Sequence, residues 1–386
     1  MTVTVTQPTI NVREELADLR KPTGIAGEAM LRAETIIQQA ALLGVAPNNI
    51  IKNGAMALNQ RGSTSLVSGT GDKTAYGPDR FQLYLDSAYT ALDATIRQTA
   101  DGPSGFSTCL EVEVDTIEAV ASTGDLFRVM HKFEGLDLQG LGWGTSAGKP
   151  LTLQFWVKSN TPGTYALYAY MAEGGGDITN FTYTINQSAV WQKVVWVIPP
   201  NTAAAPANDN TSGLEIGWIL AAGTSYTSGG HATVGWEGYA NNLLGNGQLV
   251  DLGAVDAQYF RMTGVQATIG AFPEGVPFKH QSYGEELALC QRYYSSNINL
   301  GNQRVQFDTY VTSGIYPVIN LTHPTTMRAS PTVTKVGAWT GSNIDQSTLG
   351  FNANETSVRL QADATGTGRG YLYPDVNGGF SCDAEL

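Results

Sequence analysis

Hydrophobic and polar residues alternate along most of the chain beyond residue 48, and this two-residue period is typical of half-buried β-strands. In one clear run, Leu151, Leu153 and Phe155 share a face, while Thr152 and Gln154 point the other way. Similar runs recur up to residue 269, separated by Gly, Pro and Asn turn signals and without intervening helices. Parallel strands would need helical crossovers. The pattern therefore predicts a mainly β fold, an antiparallel β-sandwich or jelly roll.

The convincing helix signals precede residue 48. Asn11 and Glu14 resemble a capping box, and a second helix is predicted from about residue 24 to residue 43. Small and apolar residues recur on this second helix at 4-3-4-3 spacing, at Ala29, Ala33, Ile36, Ala40 and Leu43. This spacing fits either a short parallel oligomer seam or the buried face of a helix packed on its own domain, and two heptads do not define a coiled coil. We favour the seam.

The segment 270–284 carries Pro and Gly and predicts a domain boundary. After it, one or two helical turns are expected within 285–294, and the β pattern then resumes. We therefore predict three parts: an N-terminal helical attachment and trimerisation segment at 1–47, a jelly-roll β-sandwich at 48–282 and a smaller C-terminal β domain at 283–386.

Composition supports the β prediction and narrows the partners. Only 15% of the residues are charged, whereas Gly (44) and Tyr (17) are frequent, which suits strands and tight turns. The net charge is −12 and there is no basic stripe, so nucleic-acid binding is not expected. No run of about 18 apolar residues exists, so membrane insertion is not expected either. The first residues do not resemble a secretory signal.

The cysteine and histidine positions do not match a metal motif. Cys109, Cys290 and Cys382 are odd in number and include no C-x-x-C, so they are interpreted as separate thiols. The alternative is a disulfide between protomers through Cys382, which lies near the end of the sequence. None of the four His residues has another His or Cys at metal-ligand spacing. No metal or other cofactor is expected.

Candidate chemistry is equally sparse. Residues 144–148 match G-x-S-x-G, but a nucleophile elbow needs a following helix, and Lys149, Pro150 and a strand come next. No pair of carboxylates stands out as acid and base, although such pairs are defined by geometry rather than by spacing. We therefore expect no enzymatic activity. Aromatic residues near Gly-rich turns either fill a small core or stack on sugar rings, and Trp339, Tyr371 and Tyr373 are the candidate glycan contacts.

Several segments together resemble a family of phage tail and virion structural proteins. Residues 53–62 are similar to the N-G-x-x-x-x-N-Q-R-G opening of that family, and 79–81 match its D-R-F/W. The most specific match is E-E-L-A-L-C-Q-R-Y-Y at 285–294, where Cys290 is a motif position rather than a reactive thiol. The segments 143–157, 263–266 and 324–331 and the ending C-D-A-E-L at 382–386 also fit. The resemblance covers roughly residues 50–386 and supplies no catalytic residues.

The resemblance implies a carbohydrate-binding-module-like jelly roll, followed by a C-terminal β domain, on a virion appendage such as a tail or collar fibre. Such proteins commonly form trimers and contact host surfaces. The expected partners are therefore further copies of this chain in a homotrimer, other phage tail, neck or virion proteins, and host cell-surface polysaccharide. We expect assembly in the host cytoplasm and residence in the virion. Two alternatives stay open: a capsid or neck decoration protein without receptor binding, and a polysaccharide depolymerase.

Overall fold

The computed structural model describes residue 39 and residues 48–120, 122–173, 175–230, 235–297, 307–375 and 378–386. The predicted seam residues Ala29, Ala33, Ile36, Ala40 and Leu43 lie outside the described residues. In the part of the chain that is described, no helix is long and apolar enough to cross a membrane.

The described residues form twenty-two strands, three α-helices and four 3₁₀ turns. The strands are β1 (Thr64–Val67), β2 (Lys73–Tyr76), β3 (Phe81–Leu85), β4 (Asp93–Thr99), β5 (Cys109–Thr116), β6 (Leu126–Glu134), β7 (Leu151–Ser159), β8 (Gly163–Met171), β9 (Asp177–Ile185), β10 (Gln192–Ile198), β11 (Ser212–Ala222), β12 (Glu237–Gly238), β13 (Tyr259–Ile269), β14 (Tyr294–Ser296), β15 (Phe307–Val311), β16 (Val318–Thr322), β17 (Thr332–Val336), β18 (Trp339–Ser342), β19 (Gly350–Ala353), β20 (Ser357–Gln361), β21 (Gly368–Pro374) and β22 (Gly379–Asp383). The helices are α1 (Gly135–Leu138), α2 (Thr224–Thr227) and α3 (Tyr283–Gln291), and the 3₁₀ turns are Gln139–Leu141, Asn241–Leu243, Leu252–Ala254 and Gln346–Thr348.

Two large antiparallel sheets form the sandwich, which confirms the predicted fold class. A six-stranded sheet has the order β1-β4-β5-β13-β7-β10, and a seven-stranded sheet has the order β12-β9-β8-β11-β6-β3-β2. Alternate residues of each strand face the opposite sheet, and their side chains form one apolar core. Phe155 of β7 meets Trp218 of β11 edge to face across this core, with ring centroids 5.7 Å apart. Burial of each such ring contributes about 1.5–3 kcal/mol.

A bulge in β13 receives the segment that precedes β1. The register of β13 against β7 shifts between Thr263 and Gln266, and the Val265 amide donates to the Gly54 carbonyl at 2.8 Å. A side chain at Gly54 would collide with the Val265 carbonyl oxygen, so this close approach of two backbones requires glycine. The N-G segment at 53–54 and the T-G-V-Q segment at 263–266, singled out separately in the sequence, are therefore neighbours.

Beyond the sandwich, helix α3 begins with a capping box between Ser282 and Glu285. Three small antiparallel sheets follow, in the orders β14-β22-β17, β15-β21-β18 and β16-β20-β19. They enclose a second apolar core that includes Phe307, Leu360 and Leu372. Residues 49–275 and 280–386 together form one compact unit. The domain boundaries at 47/48 and 282/283 stay a prediction.

Residues 1–48 and 276–279 are grouped in a separate unit. Within it, the Lys279 ammonium donates to the Asn48 side-chain oxygen at 2.6 Å.

Candidate functional site

Residues from four of the family-like segments meet in a buried cluster of charges and aromatic rings between the sandwich and β22. We call this cluster the polar junction; it comprises Lys52, Arg61, Arg80, Glu134, Arg292, Tyr293, Tyr294, Asp383 and Glu385. Two neighbouring residues hold its upstream side: the Asn53 amide donates to the Leu58 and Asp79 carbonyls, and the Gln60 amide nitrogen donates to Asp79 Oδ2 at 2.6 Å. The same Gln60 nitrogen donates to the Tyr294 carbonyl at 3.0 Å, which joins positions 234 residues apart.

Arg80 lies at the centre of the polar junction. Its side chain is 2% exposed, and its guanidinium carbon lies 3.4 Å from the centroid of the Tyr293 ring. The same guanidinium is ion-paired with Glu385 and donates to the Lys132 carbonyl at 2.7 Å. Arg80 also adopts a left-handed backbone conformation with φ of 75°, which costs free energy in a non-glycine residue. The surrounding contacts hold it there.

Arg61 links the end of the chain at β22 to Tyr294, the first residue of β14. Its guanidinium carbon lies 3.6 Å from the centroid of the Tyr294 ring, and its nitrogens pair with Asp383 at 3.0 Å and with Glu385 at 3.3 Å. Planar stacking and paired donors are what arginine provides and lysine does not. The motif residues Arg61 and Arg80 therefore converge on one acidic residue, Glu385.

Glu134 is the second buried acid of the polar junction. Arg292 donates to its two oxygens at 2.8 and 2.6 Å, and the Tyr293 hydroxyl donates to it as well. Burial alone would raise the pKa of Glu134, but these hydrogen bonds more than offset burial, so its pKa lies below the ordinary value. A charged acid with filled acceptor sites stabilises structure and is a poor proton acceptor for a substrate.

The polar junction has the properties of a structural joint. Its arginines pair with its own acids, and Lys52 pairs with neighbouring Asp137. The cleft beside it, lined by Tyr76, Arg80, Lys132 and Glu385, has space for about one water molecule. Buried His131 lies nearby with 1% exposure, packed against Phe81 and Phe133. Burial, followed by the charges of Arg80 and Lys52, lowers the pKa of His131 well below 6.5. A histidine held neutral in the core is a packing residue here.

A second cluster of arginine and tyrosine lies on the outer side of the seven-stranded sheet. We call it the tyrosine face; it comprises Tyr84, Arg128, Tyr168, Tyr170, Glu215 and Tyr239. Strand pairing brings these residues together, because Tyr84 is opposite Arg128 and Tyr170 is opposite Glu215. Gly217 faces Tyr168, and a side chain at Gly217 would collide with that ring. Sequence reasoning missed this cluster because it lies on four strands that are far apart in the chain.

Arg128 organises the tyrosine face. Its guanidinium carbon lies 4.7 Å from the Tyr84 ring centroid and 5.5 Å from that of Tyr168, and one nitrogen pairs with Glu215 at 3.2 Å. The Tyr168 hydroxyl also donates to Glu215, at 2.5 Å. Arg128 Nε is buried and has no hydrogen-bond partner among the described residues. The face therefore combines a fixed cation with a fixed carboxylate.

One side of the tyrosine face is covered and the other is open. Leu243 and Leu244, in the connection between β12 and β13, pack on Tyr168 and form a small apolar cluster with it. Tyr239, by contrast, is 38% exposed, and its ring centroid lies 4.7 Å from that of Tyr170. Its hydroxyl donates to the Asn241 side-chain oxygen at 2.7 Å. Tyr239 therefore offers solvent an aromatic surface that its neighbours hold in place.

Three tyrosines of this face, Tyr84, Tyr168 and Tyr239, stay protonated at neutral pH. Burial raises the pKa of Tyr168 well above 10.0, and burial likewise raises that of Tyr239. Burial and a hydrogen bond to Asp72 raise the pKa of Tyr84 in the same direction. Neutral phenols, a carboxylate and a guanidinium provide both donors and acceptors beside apolar ring faces, which is the chemistry that a sugar with its hydroxyl edges and C–H faces requires.

The three aromatic residues predicted as glycan contacts differ in exposure in the structure. Trp339 is 3% exposed in the second core, so its ring has no free face for a ligand. Tyr371 and Tyr373 are half-buried on the outer side of β21, and their rings stack on each other with centroids 5.8 Å apart. The candidate contact thereby narrows to these two tyrosines, whose faces are partly occupied by each other.

All three cysteines are free and buried. Burial raises the pKa of Cys109 to about 12 and that of Cys382 to about 11, and it raises that of Cys290 as well. Cys382 is 0% exposed in β22, so an interchain disulfide there would first require local opening of the C-terminal sheet. The disulfide stays a prediction that this burial disfavours.

The G-x-S-x-G match lies in a turn. Residues 144–148 form an exposed connection in which Thr145 donates to the Gly142 carbonyl, and β7 follows, as expected for a turn. Within the described ranges, no group of three or more His, Cys, Asp or Glu could hold a metal ion.

Comparison with known proteins gives weak structural likenesses. No protein-family model matches the chain. No curated protein matches its sequence. Among solved structures, the fold is similar to the enzymatically active domain of bacteriophage CBA120 tailspike protein 4, at 13% identity and a TM-score of 0.28, over 57% of this chain. This chain spans 21% of that tailspike chain.

Carbohydrate-binding modules are also among the similar structures. The family 11 module of the cellulase Lic26A-Cel5E of Clostridium thermocellum is 12% identical, with a TM-score of 0.26 over 56% of this chain and 100% of the module. A module described as CBM4 is 14% identical, with a TM-score of 0.27 over 57% of this chain and 99% of that one. TM-scores this low mean a distant likeness, so the fold class stands on the strand pairing described above.

Proposed function

We propose that this chain is a non-enzymatic structural component of a phage virion appendage, a tail or collar fibre, which assembles as a homotrimer and binds host-surface glycans through the tyrosine face. The observation that carries the glycan part is the exposed Tyr239 ring, held by Tyr170 beside the Arg128–Glu215 pair. The virion part rests on the family-like segments at 53–62, 79–81, 285–294 and 382–386. The polar junction gives those segments a structural role.

A sugar ring would stack its C–H face on Tyr239, and its hydroxyls would accept from Arg128 and donate to Glu215. Charge-assisted hydrogen bonds of this kind are roughly twice as strong as neutral ones. An anchored arginine and carboxylate lose little side-chain entropy on binding, because their geometry is already fixed by Tyr168 and Tyr84. One face of this size binds weakly, and a trimer would gain from three faces through avidity.

The first test compares retention on bacterial surface polysaccharides. We expect the full chain to be retained and Tyr239→Ala to lose at least about tenfold in affinity, which corresponds to about 1.4 kcal/mol. Tyr283→Ala is the matched control, because Tyr283 is also exposed, at 66%, but lies on helix α3. Equal retention of both variants would remove the tyrosine face as the glycan site.

The second test concerns the virion. Residues 1–47 would attach the chain to other tail, neck or virion proteins, so deletion of residues 1–45 should abolish incorporation into particles while the β-sandwich still folds. Normal incorporation of this truncated chain would contradict the attachment role. Labelling of intact particles with an antibody to the chain would locate the protein on the appendage.

The absence of catalysis is tested on the same polysaccharides. We expect no release of reducing sugars during prolonged incubation with the full chain. Release of reducing ends would move the protein to the depolymerase class. Host attachment that is unchanged in particles lacking this protein would instead favour a decoration role.

A further inference from the structure

The outer side of the β15-β21-β18 sheet is the most exposed aromatic surface of the C-terminal strands. Alternation and register place Tyr310 opposite Arg369 and Asp308 opposite Tyr371, with Tyr373 further along β21. We call these five residues the C-terminal face. Tyr310 is 74% exposed. The inward neighbours Phe307, Val311 and Leu372 are buried, so the outward side chains do not belong to the core.

Exposed large hydrophobic side chains are frequent in the sequence from β15 to the start of β16. Among the described residues, four of the twelve exposed large hydrophobics lie between positions 310 and 318, namely Tyr310, Ile315, Tyr316 and Val318. Single exposed apolar residues are ordinary, whereas a local group of them marks an interaction surface. Tyrosine and arginine are the residues that protein–protein interfaces favour.

Strand β15 is at the edge of its sheet, with β21 on one side and no further strand on the other among the described residues. Such an edge presents unpaired backbone groups, and β proteins usually blunt it with charge, proline or a covering segment. Here the edge carries Tyr310, and the charge of Asp308 is already paired with Arg369 through two hydrogen bonds of 2.9 and 2.8 Å. Among the described residues, the exposed side of this edge is thus aromatic and carries no unpaired charge.

The net charge of the chain and the neutrality of the C-terminal face favour a second copy of this chain as the partner at this face. The whole chain carries −12, so two copies repel each other over most of their surfaces. The C-terminal face is neutral, because its one acid and one base form an ion pair with each other. A neutral aromatic face on an acidic chain is where a second identical copy can approach. A sugar is the poorer fit, since the rings of Tyr371 and Tyr373 turn their faces to each other at 5.8 Å.

We propose that the C-terminal face is a contact between copies of this chain, independent of the helical seam at residues 29–43. The proposal rests on the self-association included in the proposed function and not on glycan binding. It reassigns Tyr371 and Tyr373 from glycan contacts to residues of the interface.

The test is the solution mass of the full chain and of three variants over a range of concentrations. We expect the wild type to form an oligomer of the 41.1 kDa chain, and Tyr310→Asp to raise the concentration for half-association at least about tenfold. Tyr283→Asp, an equally exposed position on helix α3, should leave association unchanged. Ala33→Asp tests the helical seam separately. An unchanged circular-dichroism spectrum and melting temperature for Tyr310→Asp would confirm that the variant folds.

The outcomes separate this proposal from the broader one. A wild-type monomer at all concentrations would contradict the homotrimer and this contact together. An oligomer that resists Tyr310→Asp but dissociates with Ala33→Asp would overturn the C-terminal contact and keep the trimer. Loss of polysaccharide retention in Tyr310→Asp with an unchanged mass would show a glycan site and would also overturn the contact.

Discussion

Two arginines in this molecule, Arg80 and Arg128, contact the same residue types, tyrosine and glutamate, but differ in their exposure to solvent. Arg80 stacks on Tyr293 and pairs with Glu385, and Arg128 lies near the rings of Tyr84 and Tyr168 and pairs with Glu215. Each Nε has no hydrogen-bond partner among the described residues.

The two arginines differ in how completely the chain covers them. The Arg80 side chain is 2% exposed beneath the segment that follows β22, whereas that of Arg128 is 14% exposed beside an open tyrosine.

The difference teaches how one set of residue types acquires two roles. Inside the polar junction, the arginine–tyrosine–glutamate group is closed by the chain, so its interactions contribute to the folded state. On the tyrosine face, the same group is left open on one side, where Tyr239 is 38% exposed. Closure by the chain, rather than residue type, distinguishes the two clusters.

We expect the largest loss of stability from replacement of Arg80, the arginine of the polar junction. Arg80→Ala would leave Glu385 with Arg61 alone and the Lys132 carbonyl without its donor. Breaking a buried pair by removing one partner costs about 3–5 kcal/mol of unfolding free energy. Urea denaturation of the full chain measures the loss. A cost equal to that of an exposed arginine, for which Arg369→Ala is the control, would contradict the buried joint.

Replacement of Arg128, on the tyrosine face, should destabilise the fold less. Arg128→Ala leaves Glu215 with the Tyr168 hydroxyl and with Lys132 at 3.9 Å, so we expect about 1–2 kcal/mol of destabilisation. Compared directly with Arg80→Ala, this variant sharpens the contrast between the two sites. A loss as large as that of Arg80→Ala would mean that the tyrosine face is also a structural joint.

Acid should weaken the polar junction through His131. The pKa of His131 is lowered in the folded chain, so the unfolded chain binds the proton more tightly. Its contribution to stability is therefore present above about pH 6.5 and declines as pH falls below that value. His131→Phe should flatten this part of the stability profile, and the difference between the two profiles removes the contributions of Glu134, Asp79 and Glu286, which they share. Parallel profiles from pH 7 to 5 would refute the assignment.

The smallest effect concerns the thiols. Because Cys109, Cys290 and Cys382 are buried with raised pKa values, a thiol reagent should modify none of them in the native chain within minutes and all three after denaturation. Electrophoresis in denaturant without reductant should give a single chain. A reducible crosslinked species would restore the interchain disulfide through Cys382.

The sequence pattern was sufficient for the fold class and for most strands of the sandwich, because alternation reports burial directly. It was less informative in the C-terminal strands. In β16, Ile319 and Leu321 pack against the core while Val318 is exposed, so the short strand carries hydrophobic residues on both faces. Trp339 illustrates the same limit, since an aromatic residue beside a Gly-rich turn has the same sequence signature whether it faces the core or solvent.

The candidate site was beyond the reach of sequence spacing. Tyr84, Arg128, Tyr168 and Glu215 become neighbours only through the strand order β8-β11-β6-β3, which alternation does not specify. The family-like segments, by contrast, located the polar junction without its geometry: Arg61, Arg80 and the pair at 293–294 belonged to separate strings that the fold joins. The resemblance thus singled out the strings without predicting that they meet, and only the structure shows the tyrosine face.

The measurement that tests the central claim most directly is the melting temperature of the full chain, with and without a panel of bacterial surface polysaccharides, for the wild type and Arg128→Ala in parallel. A ligand that binds only the folded chain raises the melting temperature as its concentration increases. We expect such a rise for the wild type with at least one polysaccharide, and none for Arg128→Ala relative to its own ligand-free value. Equal rises in both proteins, or no rise in the wild type, would contradict this expectation.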